Sequence, residues 1–178
     1  MEKNLRGYVR SVRDFPKKGV MFRDITTLLK NGEALRKAAG DLFDVYRDKG
    51  IQKVAGIESR GFVLGAILAY LLGAGFVLIR KPGKLPAATA REEYSLEYGT
   101  DAVEMHIDAV GAGECVLVHD DLLATGGTAL AACRLVEGQG GVVVGVSFLV
   151  ELDFLRGREK LTKYDVRSLM HYASEEEL

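Results

Sequence analysis

Val116-Leu117-Val118-His119-Asp120-Asp121-Leu122-Leu123-Ala124-Thr125-Gly126-Gly127-Thr128-Ala129 is the stretch on which the reading of this chain turns. An apolar run over 115–119 reads as a buried strand. It ends in two adjacent carboxylates, passes through Thr-Gly-Gly-Thr and enters a segment expected to be helical over 130–137. That order places the turn at the carboxyl edge of a parallel sheet, where open α/β sheets bind ligands. Two glycines let successive backbone N–H groups converge on one point and form an anion nest. The helix adds its free N–H groups and positive end. Thr125 and Thr128 add hydroxyls, and either can cap the helix. Asp120 and Asp121 cannot hold an anion. They suit sugar hydroxyls, or a Mg²⁺ ion reached through water. The chemistry so encoded is that of a phosphorylated sugar, with phosphate on Ala124, Thr125, Gly126, Gly127 and Thr128 and hydroxyls on the acids. The alternative is an exposed Asp-Asp turn that merely caps a helix.

Working outward, Leu5, Tyr8, Val9 and Val12 recur at helical spacing, which predicts an opening helix ended at Phe15-Pro16. Residues 16–27 read as irregular. A helix is predicted over 33–48, with Leu35, Leu42, Phe43 and Tyr46 inward and Gly50 as its stop. A strand over 53–57 leads through Glu58-Ser59-Arg60-Gly61 into a helix over 62–72. Gly73 and Gly75 end that helix, and a strand follows over 76–80. Residues 81–94 are polar, contain two prolines and lack an apolar period, so they read as a long functional loop. Alternation over 95–98 and at Val103, Met105 and Ile107 reads as a hairpin. Strands are predicted over 142–151 and 166–170. Strands alternating with helices give an α/β fold with a mostly parallel central sheet flanked by helices, as a single domain over 1–178.

The chain has 178 residues, 48% hydrophobic and 28% charged, with a formal net charge of −1. This excludes bulk disorder, and it lacks the basic excess of a nucleic-acid-coating protein. Twenty-one glycines beside only three prolines suit tight βα turns. Cys115 and Cys133 are too few for a disulfide scaffold and read as buried thiols. With three scattered histidines, no structural zinc site assembles. The start of the chain lacks the apolar core of a secretion signal. The longest apolar run, 61–76, falls short of the ~20 residues that span a bilayer. A soluble cytoplasmic protein is expected, with no membrane or nucleic-acid partner. The Walker A pattern is missing. Gly73-x-Gly75 and Gly111-x-Gly113 precede strands and lack a third glycine, which argues against a dinucleotide dehydrogenase.

The run from His119 to Thr128 resembles the phosphoribosyl pyrophosphate (PRPP) motif of the type I phosphoribosyltransferase family, in the form typical of its adenine-using members. Other segments agree. Residues 19–29 resemble that family's base-binding segment, and Glu58-Ser59-Arg60-Gly61-Phe62 its diphosphate turn. Arg80-Lys81-Pro82-Gly83-Lys84-Leu85-Pro86 with Tyr94-Ser95-Leu96-Glu97-Tyr98-Gly99 resembles its mobile hairpin loop. Glu151-Leu152 and Gly157-Arg158-Glu159-Lys160-Leu161 fit as well, so the resemblance covers nearly the whole chain.

The resemblance implies a Mg²⁺-dependent pentosyl transfer of purine salvage: adenine plus PRPP gives AMP plus pyrophosphate, through an oxocarbenium-like displacement with inversion. It implies a small base-binding hood and a homodimer. Phosphate binding falls to residues 124–128, and ribose and Mg²⁺ binding to Asp120 and Asp121. Arg60, Lys84, and Arg80 or Lys81 are the expected cations for the pyrophosphate; in that family a loop cation can also come from the partner subunit. Phe22 is the expected stacking ring. Backbone groups of Met21 and Arg23 read the base edge, and Leu152 closes the other face. Glu97 is the expected proton-handling residue. The loop is expected to close over the substrates and shield the reactive cation from water.

His119 departs from the family, which has an aliphatic residue there. It is expected to pack sideways in the strand rather than tune the acids. Two rival functions differ in chemistry. Another base, such as hypoxanthine, xanthine or orotate, would use the same sugar site, but anionic orotate calls for a cation where Phe22 and Leu152 are apolar. A PRPP-binding regulator would need a nucleic-acid-binding domain for which the chain has no spare length.

Overall fold

The structure, a computed structural model, describes residues 4–95 and 99–177. Five parallel strands form the central sheet: β3 (Lys53–Ile57), β4 (Gly75–Ile79), β7 (Cys115–Leu123), β8 (Val142–Leu152) and β9 (Val166–Tyr172). Their order is β4-β3-β7-β8-β9. The inner strands β3, β7 and β8 are largely apolar and buried on both faces, as parallel sheets require, while the edge strands β4 and β9 keep exposed positions. The helix α3 (Gly61–Leu72) connects β3 to β4, and α4 (Gly127–Gly138) connects β7 to β8. These two crossovers leave the β3/β7 pair in opposite directions, so their common right hand puts α3 and α4 on opposite faces. The α4 face buries Val118, Cys133, Val136 and Phe148. On the other face α3 packs with α2 (Gly32–Tyr46), burying Leu42, Tyr46, Leu68 and Leu117.

Asn31 starts α2 by accepting from the N–H groups of Glu33 and Ala34 at 3.1 and 3.0 Å. This cap sets the helix start at Gly32, and the helix stops at Tyr46, two residues short of the predicted end. Both cysteines are free, Cys133 buried and Cys115 half-buried, and burial pushes the Cys133 thiol up to about 12. No helix among the described residues is long and apolar enough to cross a membrane.

Three readings of local structure are corrected. The predicted opening helix is one 3₁₀ turn, Leu5–Tyr8, followed by a strand β1 (Arg10–Arg13). The supposedly irregular stretch contains β2 (Met21–Asp24), antiparallel to β1, and a short helix α1 (Thr26–Leu29). Asp24 fixes this corner. It accepts from the Thr26 N–H at 2.8 Å and from Arg10 Nε at 3.0 Å, and these bonds lower its pKa to about 2. Third, the polar segment 81–94 is not all loop. It carries most of β5 (Thr89–Ser95), which pairs with β6 (Thr100–His106) as a hairpin. Charged residues on both strands hide the period from sequence. The hairpin packs on α4, where Tyr94 lies against Gly127.

Candidate active site

The sheet reverses direction of growth between β3 and β7, and the site lies beyond their carboxyl ends. The strand β7 is paired with β8 as far as Leu123 but with β3 only as far as His119. Asp120 and Asp121 therefore sit inside the strand, where it outruns β3 and one edge opens into a crevice. This refines the expected strand end at residue 119. The crevice is a cavity of about 300 Å³ lined by Ile57, Glu58, Ser59, Arg60, Lys81, Asp120, Asp121, Leu122 and Thr128. A second cavity, of about 500 Å³, lies away from the acids, between the β1/β2 ribbon and Glu175.

Gly61 lets the first turn of α3 come this close. A Cβ there would lie 2.9 Å from Asp120 Oδ1 and 2.9 Å from the His119 carbonyl. Asp120 Oδ1 accepts from the Asp121 N–H at 2.8 Å. Burial, and then the neighbouring Asp121 charge, raise the Asp120 pKa well above the carboxylate range. Asp121 is buried and paired with Arg60 at 2.6 Å. The Arg60 guanidinium also lies 5.1 Å from the centre of the Phe22 ring. One arginine thus links the acid pair to the expected base platform.

Downstream of β7, residues 124–126 bend and α4 begins at Gly127. The cap is Gly126, left-handed with φ 77°, and no side chain bonds the helix start. Neither Thr125 nor Thr128 is the cap. The Gly126 conformation favours a residue without a Cβ. Behind it lies Gly157, the first residue of a 3₁₀ turn, Gly157–Leu161. A Cβ on Gly126 would fall 2.4 Å from the Gly157 carbonyl oxygen.

Two of the loop cations, Arg80 and Lys81, are held by carboxylates. Arg80 donates from Nε and Nη2 to Glu58 at 3.1 and 3.2 Å, and from Nη1 to the Lys84 carbonyl at 3.0 Å. Glu58 also accepts from the Lys81 N–H at 2.9 Å. Burial favours a neutral Glu58, but these bonds outweigh it and lower its pKa. Lys81 Nζ is paired with Asp101 and donates to the Tyr94 hydroxyl at 2.8 Å. Lys84 is exposed. Glu97 lies outside the described residues.

Met21, Phe22 and Arg23 all fall in β2. Phe22 is half-buried and meets Phe15 edge to face at 5.0 Å. Leu152 is buried at the end of β8. Its neighbour Glu151 is paired with Arg158 at 2.5 Å and accepts from Ser168 at 2.6 Å. His119 is fully buried, and its Nδ1 lies 2.8 Å from Ser147 Oγ. Burial lowers its pKa to about 4, so it is neutral at pH 7. It packs sideways in the strand.

Sequence reasoning singled out neither Glu58 nor Gly157 as site-building residues. Glu58 stood in the quoted turn, but its partner Arg80 is fixed only by the β3/β4 pairing.

The sequence profile of the phosphoribosyl transferase domain matches residues 24–174. The adenine phosphoribosyltransferase of Solibacter usitatus is 55% identical over 169 residues, 95% of this chain and 98% of that protein. A crystal structure of adenine phosphoribosyltransferase from Thermoanaerobacter pseudethanolicus superposes with a TM-score of 0.92 at 50% identity, covering 94% of this chain and 98% of the other. The Giardia lamblia enzyme complexed with 9-deazaadenine gives 0.90 at 38% identity, covering 96% and 97%.

Proposed function

This chain belongs to the phosphoribosyltransferase family and has its type I fold, and from that premise we propose that it transfers the 5-phosphoribosyl group of PRPP to adenine, giving AMP and pyrophosphate. One observation carries the reading: the acid pair, Arg60 and Thr128 line a single crevice, and the same arginine reaches the Phe22 ring. Relatives named for this activity match nearly the whole chain, and one of them is solved with an adenine analogue.

The nest of residues 124–128 takes the 5′-phosphate, through backbone N–H groups and the start of α4. The ribose hydroxyls go to Asp120 and Asp121. Mg²⁺ fits this acid pair, because both residues offer hard oxygen ligands and a cation would offset the burial, and then the Asp121 repulsion, that raise the Asp120 pKa. Bound there, directly or through the hydroxyls and water, it supplies positive charge to the diphosphate of PRPP.

The bond from the anomeric carbon to pyrophosphate breaks, and the leaving group keeps the electron pair. The lone pair of an adenine ring nitrogen forms the new bond on the opposite face. That nitrogen loses its proton, with Glu97 as the acceptor. No side chain forms a covalent bond to substrate, so positioning and charge stabilisation do the work. Arg60 moves from Asp121 to the pyrophosphate as the ribose hydroxyls replace it. Lys84 is the exposed loop cation, while Arg80 holds Glu58 and the loop backbone in place. Lys81 reaches the pyrophosphate only by leaving Asp101.

Adenine stacks on Phe22, with backbone groups of Met21 and Arg23 on its edge and Leu152 opposite. The chain works as one catalytic domain in the cytoplasm, and as a homodimer. Tyr70 of α3 is 85% exposed beside Val63 and Leu71, and Leu78 is exposed on the edge strand β4. This is an apolar face suited to a second copy. Phe22→Ala tests the base platform. Losing a stacking ring raises the KM for adenine about ten-fold and leaves that for PRPP within two-fold; equal change in both would count against the pocket.

A further inference from the structure

We infer that Glu175 positions the edge of β2 that reads the base, an inference that rests on the base pocket proposed above. Among the described residues the strand β2 pairs with one strand only, β1. The Met21 N–H does not point to that partner. It donates to Glu175 Oε1 at 3.0 Å. In an antiparallel pair, residues alternate between facing the partner and facing away, so Arg23 shares the outward edge with Met21. These are the two residues whose backbone groups read adenine. Glu175 takes one donor of that edge and leaves the Met21 carbonyl and the Arg23 N–H for the base.

The Arg23 side chain locks the same segment in place. Its guanidinium is buried. It donates from Nη2 to the Glu175 carbonyl at 2.9 Å and from Nη1 to Ser11 Oγ at 2.5 Å, and it lies 4.0 Å from the centre of the Tyr172 ring. Arg6 lies over the same ring at 4.2 Å and pairs with Glu177 at 2.6 Å. The Ala173 N–H donates to Glu177 at 2.6 Å. Residues 173–177 therefore run on from β9, and Glu175, 154 residues from Met21 in sequence, meets the base-reading strand. Glu175 touches no reacting atom. It acts through β2.

The test compares Glu175→Ala with Glu175→Gln, since a glutamine oxygen still accepts from the Met21 N–H. Glu175→Ala raises the KM for adenine about five-fold, the worth of one hydrogen bond. It leaves kcat and the KM for PRPP within two-fold, and Glu175→Gln restores the KM for adenine. An unchanged KM for adenine in Glu175→Ala, an equal rise for PRPP, or a glutamine variant as impaired as the alanine would overturn the inference. A wild-type enzyme that saturates with adenine while Glu175→Ala changes nothing refutes the positioning role alone. A wild-type enzyme indifferent to adenine refutes the base pocket beneath it.

Discussion

Gly157→Ala puts a single methyl group behind the phosphate nest and touches no substrate. The added Cβ would lie 2.2 Å from the Ala124 carbonyl oxygen and 3.0 Å from the Gly126 nitrogen, where ordinary contact begins near 3.4 Å. Gly157 has an ordinary backbone conformation, so alanine is sterically excluded rather than conformationally strained. Both colliding groups are backbone, and neither can rotate away. The loop or the 3₁₀ turn must give by more than an ångström. A shift of that size in groups that position a substrate costs about 100-fold in rate. Overpacking of this kind also costs ~1–3 kcal/mol, a drop of several degrees in Tm for a domain of this size. The assay is kcat/KM for PRPP at saturating adenine, with a thermal melt on the same samples. Gly138→Ala is the control, since a Cβ at that position in α4 meets nothing within 4 Å. The expected result is a fall of about two decades for Gly157→Ala, mostly in KM for PRPP, with the control near wild type. Wild-type kcat/KM and Tm in Gly157→Ala would refute the claim that this contact shapes the nest.

Two further predictions concern pH. His119 titrates near 6.5 when unfolded and at about 4 when folded, so the unfolded state binds the extra proton between those values. Stability is full above pH 6.5 and falls as the pH drops towards 4, by on the order of 3 kcal/mol. His119→Val should flatten that part of the urea-denaturation pH profile, and leave the pH–rate profile between 6 and 9 unaltered. Asp24 is displaced the other way, to about 2 when folded, and its stabilisation holds above pH 4 and fades as the pH falls through 2. Asp24→Asn should lower stability by on the order of 1–2 kcal/mol at pH 7, a gap that closes towards pH 2 in the same denaturation series.

The parallel core was legible because its strands are short apolar runs separated by glycines and helical segments. Residues 53–57 and 142–151 needed no more than that. The site's centre was legible for a related reason: the acids, the nest and the helix follow one another in the chain, and local order is what a sequence displays. The hood was not. The strands β1 and β2 are four residues each and lie half in solvent, and Val9 and Val12 mimic a helical period that the antiparallel pairing overrides. The same holds for β5, whose alternation is written in charged residues. What sequence reasoning missed at the site are pairings across the fold. Glu58 with Arg80, Gly157 with Ala124 and Glu175 with Met21 meet only once the sheet has formed. His119 is fully buried, as expected for a histidine inside an apolar strand, which has no route to water without breaking the sheet.

The most direct test of the whole account is turnover by the purified chain with PRPP and Mg²⁺, given adenine, hypoxanthine, guanine and orotate in separate reactions followed by absorbance. The account predicts AMP from adenine and no product from the others. Turnover of another base in preference to adenine would contradict the base pocket, and absence of turnover with every base would contradict the catalytic reading itself.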